Sequence, residues 1–171
     1  MHAPEGWVNY DASPGVLLGR FPKNVKYGDI VRGLPVKDVD AIYCSHILEH
    51  LSLVGFQKAL RNTYHYLKPG GAFRLVVPDL RRIAEEYMKN GDSYEFMRQS
   101  GLGLRIRSRL RQAFGNSMHL WMWDEASMRQ ELHGVGFVNI RRAVFGDNPL
   151  FADCEERLRV DGCLAMEAEK P

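Results

Sequence analysis

Leu67-Lys68-Pro69-Gly70-Gly71-Ala72-Phe73-Arg74-Leu75-Val76-Val77-Pro78-Asp79 joins the stop of a helix to a strand. Proline cannot continue a helix and glycine takes up the turn, so Lys68-Pro69-Gly70-Gly71 ends whatever precedes it. Ala72 to Val77 is a β-type run closed by Pro78-Asp79. Upstream, Phe56, Leu60, Tyr64 and Leu67 form an apolar stripe at helical spacing, which predicts a helix over Leu53 to Leu67. Before it, Val39 to Cys44 is mostly apolar and reads as a strand buried on both faces. Strand, helix and strand in that order are the unit of an α/β layer fold.

The pattern extends both ways. Trp7 to Asp11 and Asn24 to Asp29 are short β-type runs, each ending in an acid. Leu80 to Lys89 predicts a helix stopped at Asn90-Gly91. Leu102, Ile106, Leu110 and Phe114 predict another over Leu102 to Phe114. Asp124 is placed to cap a helix reaching about His133, with Gly134 and Gly136 ending it. Phe137 to Phe145 and Cys163 to Glu169 predict two final strands, joined by residues 146–162, too long for a tight hairpin.

Composition bounds the function. The 171 residues fit one domain, 1–171, with 45% hydrophobic and 26% charged residues. The net charge of +2 gives no reason to expect a nucleic-acid partner. No apolar run approaches the roughly 20 residues that cross a bilayer, so no membrane partner is expected. The start, Met1-His2-Ala3-Pro4-Glu5-Gly6, lacks the basic and apolar regions of a secretory leader. Three cysteines, Cys44, Cys154 and Cys163, with no CxxC, predict a reducing, cytoplasmic setting rather than a disulfide framework.

Four constellations could carry chemistry. Asp11 and Asp29 close successive strands, where ligands of open α/β sheets bind and a carboxylate can accept from two ribose hydroxyls. Each could equally cap a turn. His46, Glu49 and His50 spell HxxEH, which on a regular helix is a zinc-hydrolase signature with Glu49 as base; Glu125 and Glu131 are candidates for its third ligand. The alternative is a helix entry with packed histidines. His119-Leu120-Trp121-Met122-Trp123 can roof a pocket, with His119 as a base, or pack in the core. Arg105, Arg107, Arg109 and Arg111 flank the stripe of the Leu102–Phe114 helix, as a solvated face or an anion site. That helix lacks a bulky exposed apolar face for a membrane surface.

The order of these pieces resembles the Rossmann-like class of S-adenosylmethionine-dependent methyltransferases, particularly its small type-11-like group. The resemblance runs through Gly6 to Asp11, Gly33-Leu34-Pro35, Asp40 to Tyr43, Leu48 to Leu51, Leu67 to Gly71, Val77-Pro78-Asp79, His119 to Asp124 and Gly136-Phe137. It implies a three-layer α/β fold with a mostly parallel sheet and a C-terminal antiparallel pair. It also implies S-adenosylmethionine as cofactor, with Asp11 on the ribose, Asp29 on the adenine amino group and Ile30 packed on the ring. Ser45 and His46 would lie by the sulfonium. His50 would face the acceptor or pack at the helix start, and His50 and His119 are the candidate bases. The acceptor would be an oxygen or nitrogen of a small molecule or sugar.

The group has a first strand and a Gly-rich loop ahead of the segment matching Trp7 to Asp11, and this sequence shows neither. Three explanations follow: a start that lies elsewhere, a strand supplied by a partner chain, or a sheet that closes up with the Val8 strand beside the Val39 strand. The exposed sheet would favour a homodimer. A degenerate binding or assembly module, without catalysis, is the competing function.

Overall fold

The computed structural model describes residues 4–101 and 118–171. Among the described residues six strands divide into two sheets. β1 (Asn9–Asp11) and β2 (Val25–Tyr27) form a parallel pair with Asp11 opposite Tyr27. β3 (Val39–Ser45), β4 (Leu67–Pro78), β6 (Cys163–Glu169) and β5 (Val138–Arg142) lie side by side in that order. β3 is parallel to β4, while β6 runs antiparallel to both β4 and β5. The architecture is the Rossmann-like α/β arrangement with its antiparallel C-terminal pair.

β1 pairs with β2 and β3 with β4, so the sheet does not close up by joining β1 to β3. Among the described residues β3 is therefore an edge strand. Among its residues only Cys44 is buried, and the expectation of a strand buried on both faces fails for that reason.

α2 (Leu53–Tyr66) begins where the Ser52 hydroxyl accepts the Gly55 amide. It buries Phe56, Ala59, Leu60 and Thr63 against the sheet. Lys68 to Gly71 do not form a separate turn. They loop out within β4 between the Val39–Leu67 and Ala41–Ala72 pairs, as a bulge, with the Gly70 amide donating to the Lys170 carbonyl at 2.8 Å. α5 (Glu125–Val135) starts with a reciprocal cap between Asp124 and Ser127 and ends at Gly136, whose φ is 108°; Gly134 lies inside the helix rather than ending it. Together α2 and α5 cover one face of the sheet. Phe73, Leu75, Val77, Leu164 and Met166 meet Phe56, Leu60, Met128 and Leu132 there. Each such side chain contributes about 1.5–3 kcal/mol by leaving water.

The opposite face carries Arg74, Val76 and Ala165 under the 146–162 segment. That segment contains a turn of 3-10 helix at Pro149–Phe151 and a short α6 (Arg157–Val160), whose Phe151 and Val160 are buried. The described residues also include two short helices, α1 (Pro14–Leu17) and α4 (Ser93–Gln99). α4 follows α3 (Leu80–Asn90) after Gly91, in left-handed conformation. The predicted Leu102–Phe114 helix, with Arg105, Arg107, Arg109 and Arg111, lies outside the described residues.

Candidate functional site

β3 delivers its last residue, Ser45, to a sharp reversal. His46 has φ of 53°, and its amide still donates to the Val76 carbonyl of β4 at 2.9 Å. A single 3-10 turn follows at Leu48–His50. His46 and His50 therefore do not share one regular helical face, which is what the zinc-hydrolase reading of HxxEH requires. Glu125 binds Arg129, and Glu131 binds Gln57, so neither completes such a set.

The Glu49 carbonyl accepts the Leu120 and Trp121 amides at 2.8 and 3.2 Å. This backbone clasp carries residues 118–121 onto the turn, although about 70 positions separate them in sequence. The clasp sets His119 against His50, with ring centroids 5.1 Å apart and edge to face. Each ring is held from behind. His50 Nδ1 lies 3.0 Å from the Met118 carbonyl, and His119 Nδ1 lies 2.8 Å from the Ser100 carbonyl. A carbonyl only accepts, so each Nδ1 is the N–H, an arrangement that in a neutral imidazole leaves the lone pair on Nε2.

The Glu49 side chain lies close to this pair, with Oε1 within 4.0 Å of His50 Nε2, at 1% exposure. Neither carboxylate oxygen has a hydrogen bond of ordinary geometry among the described residues. Oε1 lies 3.2 Å from His46 Nδ1 and 4.0 Å from His50 Nε2, in ion-pair reach but poorly directed. His46 Nε2 in turn meets the Arg159 carbonyl at 3.1 Å and the Cys163 sulfur at 3.9 Å. The Cys163 sulfur, Glu49 and the Arg159 carbonyl together push the His46 imidazolium up to about 10, against its partial burial. The carboxylate is the physical anchor, because a thiol at that distance is a weak acceptor. Burial pushes the His119 imidazole below its ordinary value, more than Glu49 raises it, which keeps the ring neutral near pH 7.

The strand-end acids form a second group. Their strands are parallel and in register, so Asp11 and Asp29 leave the same end. Each caps locally: Asp11 Oδ1 accepts the Ser13 amide at 2.6 Å, and Asp29 Oδ1 accepts the Val31 amide at 2.8 Å. Ile30 is half-buried against the core, its carbonyl held by Asn62 at 2.7 Å. Ser45 Oγ is buried without a hydrogen-bond partner among the described residues. The aromatic run divides. Trp123 is core, its ring tilted against Phe56 with centroids 4.1 Å apart, while Leu120 and Trp121 are exposed beside His119. The sequence reading missed Glu49 as the centre of a cluster. It also missed Gly101, which lies against the His119 ring.

A family profile described as a methyltransferase domain matches residues 4–142. The chain belongs to the methyltransferase domain family. Solved structures similar to this methyltransferase domain include a SAM-dependent methyltransferase from Archaeoglobus fulgidus. The TM-score is 0.54 at 15% identity, over 95% of this chain and 85% of that one. A second is a putative methyltransferase in complex with the Trm112 methyltransferase activator of Haloferax volcanii (TM-score 0.53, 17% identity, 95% of this chain and 70% of that one). A third is a SAM-dependent methyltransferase from Thermotoga maritima, a possible histamine N-methyltransferase (TM-score 0.50, 17% identity, 86% and 63%). At these identities the likeness is one of fold. The chain spans about a third of the length of some methyltransferases it matches, 36% of one from Nostoc punctiforme. No curated protein matches it. Among the described residues no helix is long and apolar enough to cross a membrane.

Proposed function

We propose that this domain transfers a methyl group from S-adenosylmethionine to an oxygen or nitrogen of a small molecule or sugar. The observation that carries the reading is the His50–His119 pair. Two imidazoles with tautomers fixed by backbone carbonyls meet just beyond the carboxyl end of β3, in a methyltransferase domain. The residues present fit the nucleoside half of the cofactor. Asp11 and Asp29 share one end of a parallel pair, and half-buried Ile30 follows Asp29. In this reading Asp11 accepts from the ribose hydroxyls, Asp29 accepts from the adenine amino group, and Ile30 packs on the ring. Ser45 and His46 border the methyl end.

The cofactor, when bound, supplies a methyl carbon already activated by its sulfonium. The chain's work is alignment and exclusion of water, together worth about 7–11 kcal/mol in well-oriented reactions. A hydroxyl acceptor must also lose its proton. Nε2 of His119, or of His50, takes it as the new carbon–oxygen bond forms, a contribution of about 10²–10⁴ in rate. The test is calorimetric titration of S-adenosylhomocysteine into wild type, Asp11→Ala and Asp29→Ala. Micromolar binding weakened by both substitutions supports the cofactor site. Binding untouched by either places the nucleoside elsewhere.

A second reading, a non-catalytic assembly module, draws on the two edges that β1 and β3 leave without strand partners among the described residues. It predicts a stable dimer by light scattering and no binding of S-adenosylhomocysteine.

A further inference from the structure

We infer that Glu49, His50 and His119 form a binding site for a divalent transition-metal ion, with Zn²⁺ as its representative. One ligand atom from each residue lies within 4.8 Å of the other two. The set is two imidazole nitrogens and one carboxylate oxygen, a mixture suited to borderline metals such as zinc.

Three independent features of the cluster point to an ion. First, Glu49 is a buried carboxylate whose nearest basic group, His46 Nδ1 at 3.2 Å, is poorly directed, and neither of its oxygens has a hydrogen bond of ordinary geometry among the described residues. Burial of a charge is costly unless it is paired or coordinates a metal. Secondly, both imidazoles give Nδ1–H to a backbone carbonyl, Met118 for His50 and Ser100 for His119. That is the outer contact that metal-ligating histidines make, and it turns Nε2 toward the ion. Thirdly, the ligands come from two segments already locked together by the Leu120 and Trp121 amides on the Glu49 carbonyl. The ion would find its ligands assembled rather than having to order them.

Occupied tetrahedral sites with zinc–nitrogen distances near 2.1 Å have ligand atoms about 3.4 Å apart. The described spacing is wider, so binding draws the three side chains together by about 1 Å, within reach of side-chain rotation. Three protein ligands leave a fourth position open, as in catalytic rather than structural zinc sites. The site differs from the HxxEH reading in substance. Glu49 is a ligand and not a base, and His119 replaces His46. His46 is held by the Arg159 carbonyl and stands behind the carboxylate.

A bound ion takes the same Nε2 lone pairs that the base reading uses, so the two roles exclude each other while the ion is held, and the test of the ion uses no cofactor. The metal-stripped chain is titrated with Co²⁺ and followed by visible absorption, then displaced with Zn²⁺. The expected result is one equivalent bound, ligand-field bands without a thiolate charge-transfer band, and competition by Zn²⁺. His50→Ala, His119→Ala and Glu49→Gln should each weaken binding at least about tenfold. His133→Ala, at an exposed histidine, should leave it unchanged. Circular dichroism confirms that each variant is folded. No binding by the wild type overturns the inference, as does equal binding by folded His50→Ala and His119→Ala. A thiolate band moves the ion to a cysteine and also overturns it. If cobalt fails to bind while His119→Ala still abolishes methyl transfer, the base reading survives and the metal does not.

Discussion

Arg74 and Glu155 meet at 2.6 Å with neither side chain exposed to solvent. Arg74 sits mid-strand in β4, yet its guanidinium is surrounded. Glu167 of β6 accepts from it at 2.6 Å, Asp147 pairs with it, and the Phe151 ring lies 4.9 Å from its centre. Three carboxylates from two segments thus converge on one cation, Glu167 from β6 and both Asp147 and Glu155 from the 146–162 segment. The ion cluster is what fastens that segment over the second face of the sheet. Arg74→Leu leaves three acids around an apolar side chain. Removing one partner of a buried pair costs about 3–5 kcal/mol, and urea unfolding should show a loss of that size. A midpoint near that of the wild type would mean the segment is held by Phe151 and Val160 alone.

The same cluster sets the acid limit of stability. Burial raises the Asp147 carboxyl, but the guanidinium groups of Arg141 and Arg74 overcome it and hold it down at about 2. A carboxyl depressed in the fold contributes fully above its ordinary value of about 3.8. That contribution is lost as pH falls from there through about 2. Thermal unfolding between pH 5 and pH 2 should therefore decline more steeply for the wild type than for Asp147→Asn, which has no proton to take up. Parallel curves would show that other acids govern the acid limit.

Much of the fold was legible because its signals are local. Asp124 as a cap, Gly91 and Gly136 as stops, and the apolar run before Pro78 each act within a few residues. α4 was missed although Asp92 caps it through the Glu95 amide, since seven residues carry too little periodicity. Arg74 could not be read as buried, because its acids lie 73, 81 and 93 positions downstream. The site was half legible. HxxEH drew attention to residues that lie close together, but the chemistry assigned to them assumed a helix, and His46 in left-handed conformation forbids one. His119 reaches Glu49 only through backbone hydrogen bonds across the fold, for which no local pattern exists.

Asp79 joins the end of β4 to α3 and to β5. Oδ1 caps the helix through the Arg81 amide at 3.1 Å, and Oδ2 meets Arg142 at 2.7 Å. Asp79→Ala should cost about 1 kcal/mol for the cap. The ion pair adds about 1 more, discounted because Arg142 is half-exposed. Asp79→Asn keeps a capping oxygen and should lose only the second part. Equal losses in the two variants by urea unfolding would assign the whole effect to the charge.

Gly101 stands directly behind His119. Its φ is +68°, and a Cβ there would come within 2.4 Å of His119 Nδ1 and 2.5 Å of Cγ. Gly101→Ala must therefore push the ring off the Ser100 carbonyl, which fixes its tautomer. Gly91 provides the matched control, with φ of +64° and nothing within 4 Å of a Cβ. Both substitutions should carry the backbone cost of an alanine at positive φ, about 1 kcal/mol. Only Gly101→Ala should also shift the His119 imidazole resonances and weaken cobalt binding. If the two variants behave alike in stability, resonance and metal affinity, the ring adapts without loss. The Ser100 carbonyl would then have no part in aiming Nε2 at the site.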